Sequence, residues 1–332
     1  MSLVLGAHLL RKLYLASDTR VTTKRANGLL LVRDDLIKFF DINDRIGAVA
    51  AGHAALAAFT LKRLKERVGV GGYFSDLAAI VTREQLDEIV REYVNLTGRV
   101  EESVGLILAG HNTASGKQVK SSRLGEVMSA VVRRIGEGAR IEQAVDPAII
   151  AALQEALSKT GTLEGEDLVN LEVPDSRMLS IAIVTKPHSY RIERKPVELY
   201  EYAFYHPEQG VKTVQVPDEL LSHLEFRAQK GEGSLEGMLY DDAQALIKFV
   251  LDQIREKAFT TAGGHILTVL VTSEGAVFPT GELAQVRDGR AVNIGGIRAN
   301  SQGELEYTLG DGVEHKYRRL AELGEEAETA AI

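Results

Sequence analysis

The chain of 332 residues contains no cysteine, so disulfides, a thiol nucleophile and thiolate metal sites are excluded. That absence suits a reducing compartment, and a cytoplasmic location is the expectation. No long run of Lys and Arg occurs, and 47 acidic side chains outnumber 39 basic ones for a net charge of −8. A broad phosphate-binding surface is therefore not expected, and nucleic acid is not an expected partner. No apolar run approaches the roughly 20 residues that span a bilayer, so no membrane association is expected. The opening Met1-Ser2-Leu3-Val4-Leu5-Gly6 is interrupted soon after by His8, Arg11 and Lys12. It does not read as a signal peptide, and the N-terminus is expected to be retained. The eight histidines are scattered singly, without HExxH spacing. GxSxG, Walker A and GxGxxG patterns are absent as well, so neither a metal nor a cofactor is expected.

What is present is ordinary for a folded protein, with 45% hydrophobic and 26% charged residues. Short apolar segments over Leu3–Leu9, Leu13–Ser17, Leu29–Arg33, Ile37–Ile42 and Ile46–Ala50 read as strands separated by polar turns such as Lys24–Gly28. Two amphipathic helices follow, Ala54–Val68 and Ser75–Leu96, the second with Ser75 as its expected N-cap. Val104–Ala109 is a continuous apolar run, as in a strand buried on both faces. Ser121–Lys159 is helical in pattern and reads as inserted. A hairpin over Met178–Thr185 and Ser189–Arg194, strands at Tyr200–Tyr205 and Val211–Val216, a helix at Asp241–Lys257 and a hairpin of His265–Thr272 with Ala276–Pro279 complete the pattern. Strands, helices, strands, helix, strands predicts α+β with helices outside a β-sandwich, not alternating βαβ units. From about Glu304 the chain is strongly charged and reads as an extension.

Three stretches carry chemistry together: Ala16-Ser17-Asp18-Thr19-Arg20-Val21-Thr22, Ile37-Lys38-Phe39-Phe40-Asp41-Ile42 and Ala50-Ala51-Gly52-His53. In order and spacing they resemble the start of proteasome β-subunits and bacterial proteasome-like proteases, members of the N-terminal-nucleophile (Ntn) hydrolases. Laid on that pattern without gaps, Asp18 and Arg20 fall on the family's acidic residue and arginine. The same frame puts Ser2 on the catalytic threonine and Gly6 on an early glycine. Lys38 takes the lysine position, a few residues later than usual, and Gly52 the oxyanion-hole position. Thr261-Ala262-Gly263-Gly264-His265 resembles the family's paired glycines before the strand that closes the sandwich. There the sequence departs from the family, with Phe259 and Ala262 in place of an accessory Asp and Ser. Ser234 is the candidate for a further accessory serine.

The resemblance covers about residues 2–110 and 240–285 and implies a four-layer αββα sandwich. The whole chain is then one Ntn-type domain, with about 115–235 as a largely helical insertion and 304–332 as the extension. It implies catalysis by Ser2 once Met1 is removed, with the α-amine as base, Lys38 lowering proton affinities nearby and Asp18 holding Lys38. It also implies a homo-oligomer, in relatives often a closed ring, acting on peptide or amide substrates; a regulatory ATPase is not specified. Taken singly, the same residues have simpler explanations: Asp18 can cap a turn, and Lys38 can guard an edge strand. A non-catalytic scaffold and a small-molecule Ntn amidase are the alternatives.

Overall fold

The computed structural model describes residues 3–24, 30–98, 103–112, 119–136, 147–160, 168–169, 175–186, 189–206, 210–226, 235–256, 262–272, 275–277, 283–287, 290–299, 305–308 and 314–323. The expected turn at Lys24–Gly28, and the positions of Ser2, Ser234 and Phe259, fall wholly or largely outside them. The N-terminal half contains β1 (Val4–His8), β2 (Leu13–Asp18), β3 (Val21–Lys24), β4 (Leu30–Arg33), β5 (Leu36–Ile37), β6 (Phe39–Asn43) and β7 (Ile46–Gly52). Helices α1 (Ala54–Val68), α2 (Phe74–Ile80) and α3 (Arg83–Thr97) come next, then β8 (Val104–His111), β9 (Val119–Lys120), α4 (Ser121–Gly136) and α5 (Pro147–Thr160). They are followed by β10 (Leu168–Val169), β11 (Ser176–Lys186), β12 (Ser189–Pro196), β13 (Glu201–His206), β14 (Gly210–Gln215), α6 (Asp218–Leu221) and α7 (Leu235–Glu256). The chain ends with β15 (Gly264–Thr272), β16 (Gly275–Val277), β17 (Leu283–Arg287), β18 (Arg290–Ala299), β19 (Leu305–Thr308), β20 (Glu314–Lys316) and β21 (Arg318–Arg319).

This is a mixed α+β fold with antiparallel sheets. One sheet of ten strands runs β14-β13-β1-β2-β15-β17-β18-β19-β20, with β16 on β15; another of five runs β12-β11-β8-β7-β6. Successive side chains on a strand point to opposite faces, and the core separates accordingly. Val4, Leu15 and Leu267 of the large sheet meet Val49 and Ile107 of the small one in a single apolar cluster. Their neighbours Leu5, Ala16 and Ile266 point the other way, to Val127 and Val131 of α4 and Leu246 and Val250 of α7. Ala50, Leu106 and Ile181 leave the small sheet on its far face and pack with Leu56 and Phe59 of α1 and Leu86 and Ile89 of α3. Each fully buried side chain of this size contributes about 1.5–3 kcal/mol. A polar fastening joins α7 to the large sheet: buried Asp242 accepts from Lys12 at 2.5 Å and from Tyr14. Among the described residues, no helix is long and apolar enough to cross a membrane.

Several expectations are corrected. The helix expected over Ser75–Leu96 is two helices broken at Val81–Thr82, because Thr82 caps α3 by accepting from the Gln85 N–H at 3.2 Å. Ser75 is not the cap of α2; Asp76 accepts from the Tyr73 N–H at 2.7 Å, and the Ser75 N–H goes to Asn112. The strand expected over Ile37–Ile42 is interrupted at Lys38. Not all of the stretch about 115–235 stands apart from the sheets: β11 lies between β8 and β12, and β13 pairs with β1. The segment after Glu304 includes strands, and its Leu320 is buried in the core beneath α1.

Candidate active site

The site is built where β1 and β2 meet. Their antiparallel register pairs Val4 with Ser17, and the Asp18 N–H reaches the Leu3 carbonyl at 3.2 Å. The Asp18 side chain returns the contact, Oδ1 accepting from the Leu3 N–H at 2.9 Å. The same oxygen accepts from Lys38 Nζ at 2.5 Å, and Oδ2 accepts from the Gly263 N–H at 2.9 Å. One carboxylate thus joins the residue that follows Ser2, the lysine between β5 and β6, and the turn before β15. Asp18 is 0% exposed and Lys38 2%, so Lys38 is not a solvated lysine guarding a strand edge, and Asp18 does more than cap a surface turn. A buried pair survives only when its remaining hydrogen-bonding capacity is used, and the two backbone N–H donors use that of Asp18. Burial pushes the Lys38 ammonium below the usual lysine value, against the pull of Asp18.

Arg20 points to a different partner. Its Nε and Nη2 donate to the two oxygens of Asp34 at 2.8 and 3.1 Å, a fork-to-fork pair. The Asp34 hydrogen bond raises the Arg20 pKa, with Asp18 adding a smaller push. The paired glycines lie against this ion pair. A Cβ on Gly263 would come 2.5 Å from Arg20 Cζ, and one on Gly264, at φ +74°, would come 2.6 Å from Thr19 Oγ1. A side chain on Gly263 would displace the Arg20 guanidinium, and one on Gly264 would press on Thr19 at a φ that favours glycine.

Gly52 closes β7. The Lys38 carbonyl accepts from the Ala50 N–H at 3.1 Å, so Gly52 emerges two residues, about 7 Å, further along the adjoining strand. It is exposed, at φ +92°, and a Cβ there would come 2.2 Å from the Ser103 carbonyl oxygen. His53 then starts α1, its Nδ1 accepting from the Leu56 N–H at 3.3 Å.

Asp18 and Lys38 are therefore in direct contact, with Arg20 and Gly52 on adjoining elements and Leu3 holding the place next to Ser2. Ala262 is buried at 6% exposure and brings no hydroxyl to the turn. Three residues that sequence reasoning did not single out support the geometry. Thr19, 0% exposed, accepts from the His265 N–H through Oγ1 at 2.9 Å and exchanges backbone bonds with His265 and Leu36. Asp34 anchors Arg20; its only sequence signal is its place in the acidic pair Asp34-Asp35 ahead of β5. Tyr317, from the far end of the chain, bonds through its hydroxyl to His265 Nδ1, and no local pattern announces that contact. Among the described residues, no cluster of His, Asp and Glu could hold a metal ion. Neither the protein-family models nor the curated proteins give a match to this chain.

Proposed function

We propose that this chain is a proteasome-like Ntn hydrolase with the four-layer αββα sandwich, cleaving peptide or amide bonds with Ser2 after removal of Met1. The observation that carries this is the Asp18 carboxylate, which accepts from both the Leu3 N–H and the Lys38 ammonium and so brings the start of the chain to a buried cation. The three apolar clusters, one between the sheets and one outside each, support the layered architecture.

In this mechanism the free α-amine of Ser2 takes the hydroxyl proton as the oxygen attacks the substrate carbonyl. The Lys38 ammonium lowers the proton affinity of amine and hydroxyl alike, and Asp18 fixes its position. The Gly52 N–H stabilises the tetrahedral oxyanion, an effect worth about 3–4 kcal/mol in comparable sites. Collapse expels the leaving amine, which takes the proton from the α-ammonium, and leaves an ester on Ser2. Water, deprotonated by the same amine, then hydrolyses the ester. Homo-oligomers that enclose the site, and a cytoplasmic location, belong to the same proposal.

Intact mass should lack Met1, and an electrophile directed at N-terminal nucleophiles, such as a peptide vinyl sulfone, should add to the wild type and not to Ser2→Ala. Retention of Met1 in active protein, or labelling unchanged in Ser2→Ala, would refute it. Ala262, which lacks the accessory hydroxyl, favours one second reading, a non-catalytic scaffold; loss of Met1 without any labelling would select it.

A further inference from the structure

The last residue of β1, His8, lies five residues from Leu3, about 17 Å along the strand from the site just described. There α4 crosses the ends of β1, β11 and β12 over a cavity of about 460 Å³, within the ~300–1,000 Å³ typical of small-molecule pockets. One face of α4 supplies Arg123, Glu126 and Arg133, β11 supplies Arg177 and Met178, and the segment after β12 supplies Glu198. Three guanidiniums in one cavity are costly to gather unless something holds them apart. Glu126 does part of this, accepting from Arg123 at 2.9 Å and from Arg177 at 2.8 Å. Asp175 approaches Arg177 at 3.1 Å and Arg123 at 3.8 Å, and Glu201 approaches Arg133 at 3.7 Å.

The forks are thus locked and largely neutralised, yet not saturated. Arg123 turns its Nε toward Asp175 at 3.8 Å, longer than a hydrogen bond, and Arg133 donates through Nη2 to the Leu199 carbonyl at 3.1 Å. Among the side chains that line the cavity, three guanidiniums face two carboxylates, Glu126 and Glu198, which leaves one positive charge for a ligand to meet. With so much carboxylate already present, a dianion would meet repulsion, whereas one planar carboxylate matches the guanidinium forks. Met178, Val197 and Leu199 offer an apolar wall beside them.

We propose that this cavity is a second binding site, separate from Ser2, that takes a single carboxylate on an aliphatic body, as in a small acyl amino acid or a peptide C-terminus. The test is calorimetric titration of the full-length protein with N-acetyl-leucine, its amide, N-acetyl-alanyl-leucine and inorganic phosphate. The two acids should bind saturably and competitively, the amide and phosphate at least 10-fold more weakly. The tighter of the two acids identifies the source as a free acyl amino acid or a peptide end. Arg133→Ala should weaken acid binding about 10-fold. Glu198→Gln should tighten it several-fold, a gain that a damaged fold cannot produce, and Ser2→Ala should leave it unchanged. Equal binding of acid and amide, preference for phosphate, no saturable binding, or loss of binding in Ser2→Ala would each overturn the assignment.

Discussion

Acidification should weaken the fold through His8. The imidazole is 3% exposed, its Nδ1 lies 2.8 Å from the Val197 carbonyl oxygen and its Nε2 3.3 Å from Ser176 Oγ. Burial drives its pKa from 6.5 down to about 3; Arg123 and Arg177 push the same way, and the Val197 and Ser176 bonds push back. Below pH 6.5 the unfolded chain binds a proton that the folded chain refuses, so stability falls with pH until the folded value near 3 is reached. At 1.36 kcal/mol per pH unit, the loss is about 2 kcal/mol between pH 6.5 and 5 and about 5 kcal/mol over the whole window. Against a total of about 5–15 kcal/mol for a typical fold, that is a large share. Guanidinium unfolding of the wild type and of His8→Gln at pH 7.5 and pH 5 isolates the effect, because carboxylates elsewhere titrate in both proteins. His8→Gln should be less stable at pH 7.5, having lost the Val197 contact, but should lose about 2 kcal/mol less on going to pH 5. Equal pH losses in the two proteins would refute a buried neutral His8.

Lys38→Met leaves the Asp18 carboxylate buried with only its two backbone donors. It should cost about 3–5 kcal/mol in chemical denaturation, with part recovered in the double variant with Asp18→Asn. Gly52→Ala forces a Cβ to 2.2 Å from a carbonyl oxygen at φ +92°; it should cost about 1–3 kcal/mol and slow electrophile labelling of Ser2 more than it lowers stability. Leu320→Ala removes a side chain of 1% exposure and should destabilise by about 2–5 kcal/mol, measured by urea unfolding; a solvated tail would show no change.

Where the fold is written locally, the sequence states it plainly. The α1 boundaries Ala54–Val68 follow from apolar spacing and a closing Gly69, and the β11–β12 hairpin from an apolar run and an alternating, charged one around a turn. The division between α2 and α3 is local too, yet easily overlooked: Thr82-Arg83-Glu84-Gln85 is a capping pattern inside an otherwise continuous amphipathic run. The strands β17 and β18 escaped notice because Leu283–Arg287 and Arg290–Ala299 mix charged and small residues, and their place on the sheet is set by pairing with β15 and with each other. The candidate site was legible as a set of residue types at matched spacing. The Asp18–Lys38 contact is a pairing across 20 residues, and the Gly263 contact spans 245. The partners Asp34 and Tyr317 were not legible, since nothing in a single sequence links Arg20 to Asp34 or His265 to Tyr317.

The parallel pairing of β21 with β5 sets an order of events. Arg318 donates its N–H to the Asp35 carbonyl at 2.9 Å, beside the strand that leads to Lys38, although the two residues are 283 positions apart. At about 5–20 residues per second of synthesis, on the order of 15–60 s separate the appearance of these two strands. Throughout that interval β5 is without its parallel partner, which is still to be made. A nascent chain halted before Arg318 therefore leaves the edge beside Lys38 open, whatever the rest of the fold has achieved by then.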